Sequence, residues 1–197
     1  MPEAGPRAER TVERSMVMAE AAASFRDRGA DSQSLDDVAG RLGVDPEAIH
    51  YWFGSEVELL GALMKARQQM FLDTLITRFA ELDGASRKLR AVIELAVDDH
   101  DATLWIELWR LSLDDESARM IRSELVDRYR ELIGRLVAAG RSAGEFEPRS
   151  IDRATLTVIA LVDGLSVQAT VGDPLVTPTL MIERCMALAE RLVGGSL

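Results

Sequence analysis

Apolar side chains recur every three or four positions along nearly all of this chain, and nowhere do they alternate with polar ones long enough for a strand. That period commits it to helices packed on helices. The segment Thr11 to Arg28 shows it first, with Val12, Met16, Ala19, Ala22, Ala23 and Phe25 on one face and a stop near Gly29. Further helices are expected to start near 35 and 46, then to run over 56–82, 86–100, 102–113, 116–142, 150–171 and 178–193. The later breaks fall at DGAS, HDAT, DDES, AGEFEPRS and GDPLVTP, where Gly, Pro and small polar residues gather. The fold class is all-α, with about nine helices.

The short early helices carry capping chemistry. Ser34 stands three residues before Asp37, Asp45 precedes Pro46 and Glu47, and Ser55 stands three residues before Glu58. Gly43 supplies the turn between the second and third helices. Two short helices joined this tightly are the geometry of a helix-turn-helix, whose second helix enters the major groove of DNA. Ile49 and Phe53 should bury, with Trp52 a third candidate. That leaves Pro46, Glu47, Ala48, His50 and Tyr51 towards the groove.

Charge argues against indiscriminate DNA binding. The 197 residues carry a net −10, and the first 65 hold seven basic against twelve acidic side chains. Phosphate attraction supplies most non-specific affinity, and this chain lacks the charge for it. Hydrophobic residues make up 47%, too apolar for disorder, and the longest uncharged run is broken by Asp163. One cysteine, Cys185, permits no internal disulfide, and with no signal pattern a cytoplasmic location is expected. His50 and His100 are the only histidines and no phosphate-cradling glycine motif occurs, so neither a cofactor, a metal cluster nor enzyme chemistry is indicated.

The stretches AAASFRDRG, SLDDVAGRLGV and IHYWF followed by SEVELL resemble the DNA-binding domain of the TetR family of bacterial transcriptional regulators. WIELWRLSLDDESARMIRSELVDRYRELIGRLVAAGRSAGEFEP and ALVDGLSVQATVGDP are similar to the ligand-binding half of its choline-repressor-like branch. The resemblance implies a flexible lead (1–9), a DNA-binding head (10–54) and a ligand-binding and dimerisation body (55–197). It further implies a homodimeric repressor on a near-palindromic double-stranded operator, released by a small-molecule effector, with the fourth helix as lever.

Against that family pattern the head departs in charge. Family members commonly place tyrosines where His50 and Tyr51 stand, a basic residue near the start of the reading helix, and lysines just after the aromatic block. Here Asp45 and Glu47 occupy the first region, and Gly54 and Glu56 the second. Phosphate contacts then fall to Arg10, Arg14, Arg41, the hydroxyls of Ser34 and Tyr51, and helix-start amides near Leu35 and Glu56. The acids have two readings: caps that stabilise first turns, or, for Glu47, an acceptor for a cytosine amine. The alternative for the whole chain is a ligand- or protein-binding module whose head no longer reads DNA.

In the body, Trp105 and Trp109 stand one helical turn apart, with Glu94, Asp98, Asp99, His100, Asp101 and Glu107 nearby. Such a pair is either ordinary core or, with carboxylates, the wall of a site for a cationic effector. A pocket is expected between the fourth and eighth helices, lined by Met64, Phe71, Leu75, Trp105, Trp109, Met120, Tyr129 and Gln168, with Arg67 and Met70 turned to solvent or hinge. The dimer surface is expected on the last two helices. Leu156, Ile159 and Val167 lie in the first; Met181, Cys185, Leu188 and Leu192 form a stripe on the second, and a two-fold copy would complete a four-helix bundle.

Overall fold

The computed structural model describes residues 13–28, 35–99 and 102–197, with side chains of the first stretch described from 13 to 23. Among them are nine helices and no strand: α1 (Arg14–Arg28), α2 (Leu35–Leu42), α3 (Pro46–Trp52), α4 (Glu56–Phe79), α5 (Ala85–Asp98), α6 (Thr103–Leu111), α7 (Glu116–Ala143), α8 (Ile151–Thr170) and α9 (Pro178–Val193). No described helix is long and apolar enough to cross a membrane. Phe25, Gly29, His100 and Asp101 fall on undescribed side chains or residues.

The chain forms two compact units divided between Leu63 and Met64. The sequence put that boundary at 54/55, where α4 begins. It falls two turns later because the start of α4 brings buried Leu59, Leu60 and Leu63 to the first unit.

In the first unit α1 packs on α2 and α2 on α3, around Val17, Ala21, Leu35, Val38, Ala39, Ile49 and Phe53. The turn after α2 needs a left-handed residue, and Gly43 (φ 68°) provides it. Gly43 N–H donates to Gly40 O and Val44 N–H to Ala39 O, closing the helix end. Asp45 Oδ1 accepts the Glu47 amide at 2.9 Å, with Pro46 at the first helical position. At α4, Ser55 Oγ accepts the Glu58 amide (3.2 Å) and the Glu58 carboxylate reaches back to the Gly54 amide (3.0 Å). The expected capping box therefore closes, one residue upstream of the usual amide.

The second unit is built round Phe71, Leu75, Leu89, Val92, Ile93, Ile133, Val137, Phe146, Val158 and the buried face of α9. Its helices start where side chains can hold free amides: Asp115 accepts from Ala118, Ser150 from Arg153 and Thr177 from Leu180. Helix α5 has no such neighbour, since its cap is Gly84. Glu145, beyond the far end of α7, supplies the oxygens instead, accepting the amides of Ala85 (3.1 Å) and Ser86 (2.9 Å). Those two amide bonds hold its carboxyl below the ordinary range. Glu145→Ala should therefore destabilise the unit most at neutral pH. The deficit should shrink as pH falls through the carboxylate range and the wild-type cap itself is protonated, which urea titrations at pH 7 and pH 3.5 would show.

The α9 stripe is absorbed differently from expectation. Met181 and Cys185 are fully buried in their own protomer, Cys185 within its main core, so they cannot also form a surface for a partner. Leu188 and Leu192 are half-buried, Leu192 against the same core. Burial also pushes the Cys185 thiol up to about 11, leaving it inert at neutral pH.

Candidate DNA-reading face and effector cavity

On α3, Ile49 and Phe53 point inward, while Pro46, Glu47, His50 and Tyr51 are exposed and Ala48 is half-buried. Tyr51 is 81% exposed and meets the Trp52 ring edge-on at 5.4 Å. Trp52, a candidate for burial, is 41% exposed: a seven-residue helix offers one narrow inner face, which Ile49 already fills. His50 Nε2 lies 3.3 Å from Asp36 Oδ1 on α2, so the ring is steadied by the neighbouring helix.

The basic residues are more committed than the sequence suggested. Arg41 Nε donates to Glu20 at 2.8 Å, and its Nη2 is buried without a partner. It ties α2 to α1 and is not a free phosphate contact. The exposed Arg14 holds its guanidinium 5.0 Å from the centre of the buried Phe53 ring. The Leu35 side chain is buried, so only its amide could meet phosphate. Arg10 and Ser34 lie outside the described residues. Asp45 acts as a cap, the structural reading of that acid; Glu47 keeps its carboxylate exposed on the outer face.

The second unit holds a partly open cavity of about 100 Å³ between α4, α5, α6, α7 and α8. Of the residues expected there, Met64, Phe71, Trp105, Trp109 and Tyr129 line it. Leu75 is buried in the core beside it, Met120 is 69% exposed on the surface, and Gln168 is exposed on α8. Phe71 and Tyr129 meet edge-on at 5.5 Å, and Trp105 sits 6.2 Å from Tyr129 and 6.3 Å from Trp109. The two indoles are half-buried, so they form a wall as well as filling space.

Asp99, one of the carboxylates noted beside the indoles, lines it too, as do four polar residues not expected there: Arg67, Gln68, Asp163 and Ser166. Arg67, placed at solvent or hinge by its sequence position, instead grips Asp99. Nε and Nη2 reach the carboxylate at 3.0 and 2.7 Å, and Nη2 also reaches the Asp99 carbonyl at 3.0 Å. That pair neutralises itself. Gln68 is 2% exposed; its amide nitrogen donates to Leu125 O at 2.8 Å, while its oxygen is buried with no partner. The donated bond fixes which end of the amide is which. Asp163 makes no ion pair among the described residues, and burial pushes its carboxyl up to about 6. Burial, then the charge of Asp99, pushes the Tyr129 phenol to about 12, opposed by Arg67 and a hydrogen bond from Gln68. One signal was available for Asp163: it is the sole charge between Arg153 and Asp173 in an apolar helix.

A helix-turn-helix unit and a cavity-bearing helical bundle in one chain define a ligand-sensing, DNA-binding regulator. The sequence profile of the BetI-type transcriptional repressor C-terminal domain matches residues 83–194, more than half of the chain. The HTH-type transcriptional regulator BetI of Cronobacter sakazakii is 26% identical over 181 residues, covering 88% of this chain and 87% of its own. A transcriptional regulator of Saccharomonospora viridis, solved in complex with choline, superposes with a TM-score of 0.80 at 21% identity, covering 90% of this chain and 95% of that one. FadR of Bacillus subtilis, in complex with stearoyl-CoA, gives 0.74 at 17% identity over 94% and 100%. At such identities the structural likeness is one of fold. The chain belongs to the TetR family of transcriptional regulators, in its BetI-type group. That family consists of DNA-binding regulators that answer to ligands, not of enzymes.

Proposed function

We propose that this regulator is a homodimeric repressor that leaves a near-palindromic operator when a small organic cation fills its cavity. The observation that carries the reading is the aromatic-walled space whose one charge without an ion pair among the described residues is the Asp163 carboxylate. Size narrows the effector. An engineered cavity of roughly 150 Å³ holds benzene, so about 100 Å³ suits a compound of a few heavy atoms and excludes a long acyl chain without rearrangement. The choline of the Saccharomonospora relative is of the right class; the stearoyl-CoA of the Bacillus relative is not. Helix α4 is unbroken from Glu56 to Phe79 and lends Met64, Gln68 and Phe71 to the cavity. It is thus a route by which a filled cavity can favour a conformer with lower affinity for DNA. Such a regulator acts in the cytoplasm, where its operator is.

For the dimer, the exposed stripe Leu156, Ala160, Gly164 and Val171 on α8 replaces the buried part of α9 as the surface to cover, with Val167 half-buried at its edge. Ile159 lines the cavity and belongs to the effector site. Leu156→Arg should shift sedimentation velocity from dimer towards monomer, because it puts a charge on the large exposed apolar side chain of that stripe.

Fluorescence anisotropy on DNA upstream of the regulator's own gene tests the whole reading. Binding should be specific at low salt and weaken about tenfold or more in Tyr51→Ala, whose exposed hydroxyl is lost at both heads. Choline chloride should release the DNA. Equal affinity for a random duplex at low salt would favour a module that keeps the fold without reading DNA.

A further inference from the structure

Two hydrogen-bond acceptors line the cavity with no donor from the described residues: the fully buried Gln68 oxygen and the half-buried Asp163 carboxylate. Burying an acceptor costs free energy, most of all if it is charged, so the half-buried Asp163 takes up its proton at a higher pH than an exposed carboxyl would. The other charged and titratable groups facing the space do not relieve it. Arg67 from α4 is spent on Asp99 at the end of α5, and Tyr129 from α7 keeps its proton at any neutral pH. Helix α6 contributes indoles, and α9 contributes nothing to the lining. Burial is what raises the Asp163 carboxyl, and no described basic side chain is paired with it.

We propose that Asp163 is the counter-ion that selects a small monocation, and that wherever its carboxyl is protonated the cation displaces the Asp163 proton into solvent as it binds. The Gln68 oxygen receives an O–H or N–H donor carried by the same molecule. The balance is simple: a neutral acid and a cation enter the exchange, and a carboxylate–cation pair and one released proton leave it. Effector response is thereby coupled to pH, with the regulator less sensitive to its effector as the cell acidifies. The inference rests on the cavity being the effector site.

Isothermal titration of the full-length protein with choline chloride tests this, because a quaternary ammonium has no proton of its own to lose. The affinity should fall about tenfold from pH 7.5 to pH 5, as the ionised fraction of Asp163 falls. At pH 5, buffers of different ionisation enthalpy should register release of close to one proton. Asp163→Asn should bind choline at least about tenfold more weakly at pH 7.5 and lose the pH dependence. Should that variant fail to fold, the wild-type protein suffices. The neutral isostere 3,3-dimethylbutan-1-ol should bind more weakly than choline at pH 7.5 and show no gain on raising the pH. Tetramethylammonium, with no donor for Gln68, should bind more weakly than choline yet keep its pH dependence. Choline binding that ignores pH, or a neutral isostere that binds as tightly, would overturn the counter-ion while leaving the cavity as the effector site. If none of the three compounds binds although operator DNA is held, both fail together.

Discussion

Gly140→Ala should lower the melting temperature of the second unit by about 10 °C, while Gly134→Ala in the same helix should leave it unchanged or raise it. Both glycines lie in α7, where alanine is favoured over glycine by about 0.5–1 kcal/mol. At Gly134 that gain is available, since a Cβ would meet only Thr155 Oγ1 at 3.7 Å, an ordinary contact. At Gly140 a Cβ would lie 2.1 Å from Phe146 Cδ2 and 2.5 Å from Cε2. The ring is not free to swing aside. Phe146 is fully buried in the main core, and the amides of Glu145 and Phe146 both donate to Gly140 O, at 2.8 and 3.2 Å. Forcing a methyl into such packing costs about 3 kcal/mol or somewhat more, and 1 kcal/mol moves the midpoint about 2–4 °C in a chain of this size. Thermal melts followed by circular dichroism would compare the two variants directly. A Gly140→Ala protein that melts like the wild type would mean that the chain does not turn over α7 as described.

The sequence showed helix ends better than it showed neighbours, for a physical reason. A cap is a contact within three residues, so Asp45 and Ser55 announce their helices locally, and each is found accepting an amide of its first turn; Asp115, Ser150 and Thr177 do the same for later helices. The start of α5 is the exception that fits, because its cap, Glu145, is sixty residues away. Which side of an apolar helix meets its own core is a tertiary matter. The α9 stripe was legible as apolar, but nothing in it told that Met181 and Cys185 face inward, while the open apolar face belongs to α8. The cavity divides the same way. Its aromatic residues were legible because large rings stand out, whereas Arg67, Gln68 and Asp99 gained their roles only when α4, α5 and α7 met. Arg41 is the converse case, a basic residue in the right segment that the fold spends on Glu20.

Replacing both Gly54 and Glu56 with lysine should tighten operator binding about tenfold or more near 0.15 M salt, and steepen its salt dependence by up to about four charge units. Each lysine placed against a phosphate adds roughly one unit to that slope, and a dimer carries two such junctions. The backbone permits the change. Gly54 has no positive φ, and a Cβ there would meet the Glu58 carboxylate at 3.4 Å, ordinary contact distance. Removing Glu56 from the first turn of α4 costs the helix about 0.3–1 kcal/mol, but Ser55 and Glu58 still cap it. Because phosphate contacts carry no sequence information, a random duplex should gain as much as the operator, leaving the ratio between them unchanged. That equality separates the junction from the base-reading face, where a change at His50 or Tyr51 should alter preference as well as strength. Unaltered affinity and slope in the double variant would mean that the start of α4 does not approach the DNA backbone. The acids of this head would then mark a docking mode unlike the one its helix-turn-helix implies.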